Sequence, residues 1–203
     1  MNRISALFLT LCCSSPLMAN VYIAPFSGYG FGASEFNVYS TQNNDYGTVK
    51  VSESEHYGLM LGINTDDLGN VYLLYSHQTT DLRSNNLFSP ALLTPIEVDY
   101  LHVGGSLYFP VKRANPYITT SFGLTQMRPG DAYATETRFS MALGTGIEFN
   151  PTSRLAIFAE VKAYATFINA NNELFCNGHS CVWNVQSDIM WQGQANIGAS
   201  LKF

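Results

Sequence analysis

The chain has 203 residues, ten basic against fifteen acidic side chains and a net charge of −5. That length suits one domain and leaves nothing for a second. The acidic balance excludes the basic footprint of a nucleic-acid-binding protein.

Met1-Asn2-Arg3 is a short basic start, and Ile4 to Cys13 is an apolar run broken by Ser14-Ser15-Pro16. Leu17-Met18-Ala19 then places a small residue where a signal peptidase cuts. This is the layout of a secretory leader, and the apolar run is too short to span a bilayer. We therefore expect a signal peptide over residues 1–19 and a mature domain over 20–203. Loss of Arg3 leaves nine basic residues against fifteen acidic ones, a net charge of −6. A lipoprotein leader acylated at Cys12 or Cys13 is the rival reading. The residues just before them, Leu11 and Cys12, are poor substitutes for the small residue such a site takes.

Beyond the leader no apolar window is long enough for a membrane helix. What recurs is alternation at period two, the mark of strands with two unlike faces. Five runs are noisy, roughly Val21–Asn37, Val51–Asn64, Asn70–Leu82, Ile96–Phe109 and Tyr117–Met127. Three are clean: Arg138–Phe149, Arg154–Phe167 and Trp191–Phe203. In the last, Trp191, Gly193, Ala195, Ile197, Ala199, Leu201 and Phe203 form an apolar face. Gln192, Gln194, Asn196, Gly198, Ser200 and Lys202 form the opposite, polar one.

The connections alternate in length. Thr65–Gly69, Pro110–Pro116 and Pro151–Ser153 are short, whereas Val38–Lys50, Arg83–Pro95, Arg128–Glu136 and Ile168–Val185 are long. Eight strands with every tight turn at one end match an outer-membrane barrel, with short periplasmic turns and longer extracellular loops. Period two alone does not say which face points outward, and a soluble barrel would turn its apolar face inward. Three features favour the membrane arrangement. The polar face mixes small residues with charges of both signs, Arg138, Glu148, Glu160, Lys162 and Lys202 with Glu97, Asp99 and His102, suited to a narrow interior. Aromatics such as Phe139, Phe149, Phe167 and Trp191 stand near strand ends, as in interfacial girdles. The third is the final strand, which ends on Phe203 with apolar residues at alternate positions behind it. The fold class is thus all-β, a closed antiparallel eight-stranded transmembrane up-and-down β-barrel.

The chain closes on Phe203 behind an alternating strand, and several segments carry a family likeness. They are Tyr29-Gly30-Phe31-Gly32, Tyr100-Leu101-His102-Val103-Gly104-Gly105, Pro116-Tyr117-Ile118, Arg138 through Gly146, and Ala195 through Phe203. On these, residues 20–203 resemble the outer membrane protein β-barrel domain superfamily, with relatives such as the OmpA membrane domain, OmpX and OmpW. The resemblance implies location in the cell outer membrane of a Gram-negative envelope. It also implies contact with outer-membrane lipid and lipopolysaccharide, and Phe203 as a C-terminal signal for the barrel assembly machinery. It specifies architecture more than activity.

Candidate site residues follow. Arg138, Glu148, Glu160, Lys162 and Lys202 are expected to form a lumen charge network. Its role is either a neutralised plug or the gate of a narrow porin-like conduit. Cys176 and Cys181, in a stretch rich in Asn and Gly, are expected to pair as a disulfide after export. A zinc site with His179 is the weaker alternative, because Cys-x-x-His-x-Cys lacks a fourth ligand. No metal, cofactor or nucleic acid is expected. His77 with Thr79 and Asp81, or His179-Ser180, are the only candidates for a lipid A-modifying hydrolase, and neither sits in a nucleophile motif. The expected class is therefore non-catalytic. Loops 83–95 and 168–185 expose Leu87, Phe88, Leu174, Phe175 and Trp183, either toward a host or envelope partner or as a cap over the barrel mouth.

Overall fold

The computed structural model describes residues 20–32, 35–40, 45–65, 68–85, 92–111, 114–130, 135–168, 173–177, 180–185 and 189–203, with backbone alone for 35–40, 45–50, 82–85, 92–94, 173–177 and 180–185. The leader expected over residues 1–19 lies outside the described residues.

Twelve strands follow in order: β1 Val21–Gly32, β2 Glu35–Ser40, β3 Asp45–Val51, β4 Ser54–Asn64, β5 Gly69–Asn85, β6 Leu92–Tyr108, β7 Asn115–Pro129, β8 Glu136–Phe149, β9 Leu155–Phe167, β10 Glu173–Asn177, β11 Ser180–Val185 and β12 Ile189–Lys202. Eight of them close a ring, β1-β4-β5-β6-β7-β8-β9-β12, through antiparallel pairings. The ring shuts where β1 meets β12, from Tyr22 opposite Lys202 to Gly32 opposite Gln192.

One row of register partners, followed round the ring, runs Thr137, Gln126, Asp99, His77, Tyr57, Ser27, Ile197, Ala159 and back to β8 at Ile147. The row returns ten residues further along the strand, so the ring has a shear of ten. The strands are therefore tilted about 40° to the barrel axis, within the range that closure imposes.

The four remaining strands correct the expectation of irregular long loops. β2 and β3 form a hairpin where the sequence suggested a loop over Val38–Lys50, and β10 and β11 form another within 168–185. The hairpins join each other through β11 and β2, and β3 joins the upper part of β5. Their content of β-branched and aromatic residues favours this, as in Val49, Val51, Val182, Trp183 and Val185. A strand that continues past the barrel rim also keeps its backbone groups paired.

The expected Cys176–Cys181 disulfide is likewise corrected: no disulfide bond is present among the described residues, Cys176 and Cys181 included. Cys176 and Cys181 are opposed in register across the β10–β11 hairpin. A bridge needs a particular Cβ and sulfur geometry that sequence spacing does not specify. The hairpin is closed instead by ladder pairing from Glu173 opposite Asn184 to Asn177 opposite Ser180.

At the other end the turns are tight and locally bonded. Thr65 sends both its backbone N–H and its hydroxyl to the Gly69 carbonyl, each at 3.0 Å. Val111 and Ala114 exchange backbone bonds of 2.9 and 3.0 Å. The Thr152 hydroxyl accepts the N–H of Leu155 at 3.1 Å.

Burial follows parity. Even positions of β1, β4, β8, β9 and β12, and of β5 as far as Thr80, face the lumen and are mostly buried, and the odd positions carry exposed large apolar side chains such as Leu61, Leu73, Leu143, Val161 and Ile197. The barrel is apolar outside, and its interior mixes polar side chains with apolar ones such as Met60, Leu74, Val98 and Phe158. Inside, aromatic rings lie over the bare backbone of glycines on the adjacent strand: Phe26 faces Gly58 and Tyr22 faces Gly62. Strands approach closely at Gly28, where a Cβ would stand 2.0 Å from the Ala195 carbonyl oxygen. Backbone there cannot give way as a flexible side chain can. Gly28→Val is expected to destabilise the folded barrel by about 3 kcal/mol, read as a lower urea midpoint for refolding into lipid vesicles.

Candidate functional site in the lumen

The strand parity that exports apolar side chains imports the polar ones, and β9 shows how. Glu160, Lys162, Tyr164 and Thr166 stand on its inner face. Lys162 Nζ lies 3.0 Å from Glu160 Oε1, with both side chains almost wholly buried. This is an ion pair whose angle falls short of a directed hydrogen bond. Glu160 also accepts from the Tyr117 hydroxyl at 3.2 Å and the Asn196 amide at 3.3 Å. Asn196 Oδ1 in turn meets His56 Nε2 at 2.5 Å, and Lys162 Nζ lies 5.4 Å from the centre of the Tyr72 ring.

A second pair sits toward the short turns. Lys202 Nζ lies 3.0 Å from Glu148 Oε1 and 3.0 Å from Asn150 Oδ1. The Tyr108 hydroxyl donates to Glu148 at 3.3 Å. Tyr108 and Tyr117 have ring centres 5.2 Å apart, so packed tyrosines connect the two pairs.

Arg138 does not join them. Its guanidinium pairs with Glu136 at 3.0 Å near the start of β8. Ten residues separate Arg138 from Glu148 on that strand, roughly 33 Å of extended chain. The five charges named from sequence thus fall into two linked pairs and one arginine at the opposite end.

Between these ends lies a neutral polar layer. The Tyr100 hydroxyl donates to Gln192 Oε1 at 2.5 Å, Gln192 donates to Gln78, and Gln78 donates to Ser54 at 2.8 Å. His102 bridges the hydroxyls of Ser121 at 3.0 Å and Ser140 at 2.8 Å. The Tyr100 and Tyr164 rings pack with centres 4.1 Å apart. Sequence reasoning puts His102 inside but gives Tyr100 and Gln78 no part. Their even parity, shared with His102, was the available signal.

Parity also corrects Glu97 and Asp99, which their charge alone assigned to the inner face with His102. Neighbouring positions on β6 face opposite ways, so these odd-numbered carboxylates point outward while His102 points in. The charge-lined interior is closely filled: the pocket between Tyr22, Tyr108, Tyr117 and Phe158 holds about 20 Å³, of the order of one water site.

His77 also departs from expectation. Its Nδ1 lies 2.7 Å from Asp99 on β6, not against Asp81. Its Nε2 is 3.4 Å from the Thr79 hydroxyl, at the long limit of a hydrogen bond. His179 lies outside the described residues, as does the Ser180 side chain.

A closed ring with an apolar exterior and a charge-compensated interior defines a membrane-spanning β-barrel of the outer-membrane type. The chain belongs to the outer membrane protein beta-barrel domain family, whose profile matches residues 4–203, and its place is the bacterial outer membrane. It is similar to three solved structures. Neisserial surface protein A shows 13% identity and a TM-score of 0.60 over 90% of this chain and 97% of that one. The outer membrane protein OprG from Pseudomonas aeruginosa shows 11% identity and a TM-score of 0.64 over 92% and 97%. The outer membrane protein AlkL, seen in lipid bilayers, shows 11% identity and a TM-score of 0.53 over 100% and 97%. At such identities these are likenesses of fold. No curated protein sequence matches the chain.

Breaking the central pair one-sidedly strands a buried charge. Lys162→Met is expected to cost about 3–5 kcal/mol, seen in urea unfolding of the refolded barrel. Removing both charges, Lys162→Met with Glu160→Leu, is expected to recover most of that loss.

Proposed function

We propose that this chain is a non-catalytic outer-membrane barrel with a plugged lumen, whose long-loop end meets lipopolysaccharide, envelope or host surfaces. The observation that carries this reading is the filled interior, where two linked ion pairs and the Tyr100–Gln192–Gln78 layer occupy the bore. Buried pairs of this kind cost more to disrupt than to keep, which favours a static plug over a moving gate. The role proposed for Arg138, Glu148, Glu160, Lys162 and Lys202 is neutral filling of the lumen, with Arg138 serving the outer end alone.

The surfaces left for recognition are the strand extensions and the connections at 83–95 and 168–185, and these are the proposed contacts for a host or envelope partner. Residues 1–19 are proposed as a cleaved leader, so the mature chain should start at Asn20 by intact mass. Phe203, exposed beyond the last ladder bond and tied by its N–H to the Val21 carbonyl at 2.9 Å, is proposed as a contact for the barrel assembly machinery.

A porin-like conduit is the competing reading, and planar-bilayer recording separates the two. The refolded wild-type protein should give no steady single-channel openings. Regular openings abolished by Lys162→Met would overturn the plugged reading.

A further inference from the structure

The girdle at the long-loop end is lopsided. Following the shear round the ring, the outer wall level with Asp99 on β6 carries Phe139 on β8, Trp191 on β12 and Phe31 on β1. Those three are apolar, large and half exposed, as a headgroup-level aromatic belt requires. On β4 and β5 the exposed aromatics are Tyr57 and Tyr75, and beside them on β5 to β7 stands a polar niche on the same lipid-facing wall.

Asp99 is its centre. Its carboxylate accepts from the Tyr75 hydroxyl at 2.9 Å, from His77 Nδ1 at 2.7 Å and from the Arg128 guanidinium at 2.5 Å. The same guanidinium reaches Glu97 at 3.1 Å. The Tyr57 ring, strongly exposed, leans against His77 with centres 5.3 Å apart and a tilt of 50°. Asp99 is 10% exposed, whereas Glu97 and Arg128 are 47% and 41% exposed, and Arg128 Nε is buried without a hydrogen-bond partner. The Asp99 carboxylate is engaged by three partners, whereas the outer part of the niche is open.

Charged groups on the lipid face carry a depth-dependent penalty that nearly vanishes only at the interface. A neighbouring lipid therefore has to meet this wall with its polar portion. Two carboxylates against one arginine disfavour a phosphate. The niche instead offers donors and acceptors together with the faces of Tyr57 and Tyr75, which is the chemistry of saccharide recognition: hydroxyls bond the charged and amide groups, while aliphatic ring faces lie on aromatic ones. Below it, Leu73, Leu101 and Leu124 continue the wall as an exposed apolar track, so the sugar and an acyl chain meet one continuous surface.

We propose that the outer wall of β4–β7 is a docking site for the neutral sugar headgroup of an outer-leaflet glycolipid. Glu97 and Arg128 bond its hydroxyls, Tyr57 stacks on it, and Asp99 and His77 position these groups. The proposal rests on the reading of the long-loop end as the outward end.

Native mass spectrometry of the refolded full-length barrel in detergent, titrated with a monoglucosyl diacylglycerol, tests it, with phosphatidylglycerol of matched acyl chains as the comparison. The wild type should retain the glucosyl lipid at least tenfold more tightly than phosphatidylglycerol. Tyr57→Ala and Glu97→Gln, both at exposed positions, should each erase most of that preference while keeping the heat-modifiable gel shift of a folded barrel. If phosphatidylglycerol is held as well as the glucosyl lipid, or if both folded variants retain the preference, the proposal fails. Protease access to residues 171–178 on intact cells tests the outward orientation separately, so the two failures are distinguishable.

Discussion

Backbone hydrogen bonding in a solvent that offers none is the constraint on which the rest of this structure depends. In hydrocarbon each amide and carbonyl must find a partner within the protein, and an open sheet would leave two edges unsatisfied. The β1–β12 seam removes both edges. Once the ring is closed with eight strands and a shear of ten, the width of the interior is set, and so is the parity of every side chain. Polar residues on the inner face and apolar ones on the outer face are consequences of that closure.

A bore of this width admits side chains but little else, and its contents must then satisfy one another. Large rings sit opposite glycines, as with Tyr22 and Gly62, so volume is balanced across neighbouring strands. Charge is balanced locally as well, since Glu160 with Lys162 and Glu148 with Lys202 each neutralise within one contact. Tyrosine hydroxyls take up the remaining carboxylate capacity. Shape and electrostatics are solved by the same residues, which leaves the lumen little freedom to rearrange.

Architecture was legible in the sequence because it depends on parity, and parity is a local property. The clean runs of β8, β9 and β12 place every side chain on its observed face. Charge is a poorer guide than parity: Glu97 and Asp99 cannot share a face with His102 on one regular strand, although their charge suggests the inner one. Arg138 and Glu148 share a face of β8, and only position along the strand sets them apart. The pairings of His77 with Asp99 and Tyr100 with Gln192 depend on register between strands, which no single run of residues encodes. The hairpins of β2–β3 and β10–β11 are hidden in the sequence for another reason. Their Gly- and Asn-rich flanks read as loops, while the ladder between them joins segments some 145 residues apart.

That distant ladder changes the mechanics of the barrel. β2 follows β1 and β11 precedes β12, so Val38 opposite Val185 and Tyr39 opposite Asn184 form a second stitch above the seam where the chain's two ends meet. A force prising β1 from β12 sideways must therefore open a pair of zippers in series, the outer one lying beyond the barrel rim. The seam that closes the ring is here buttoned twice.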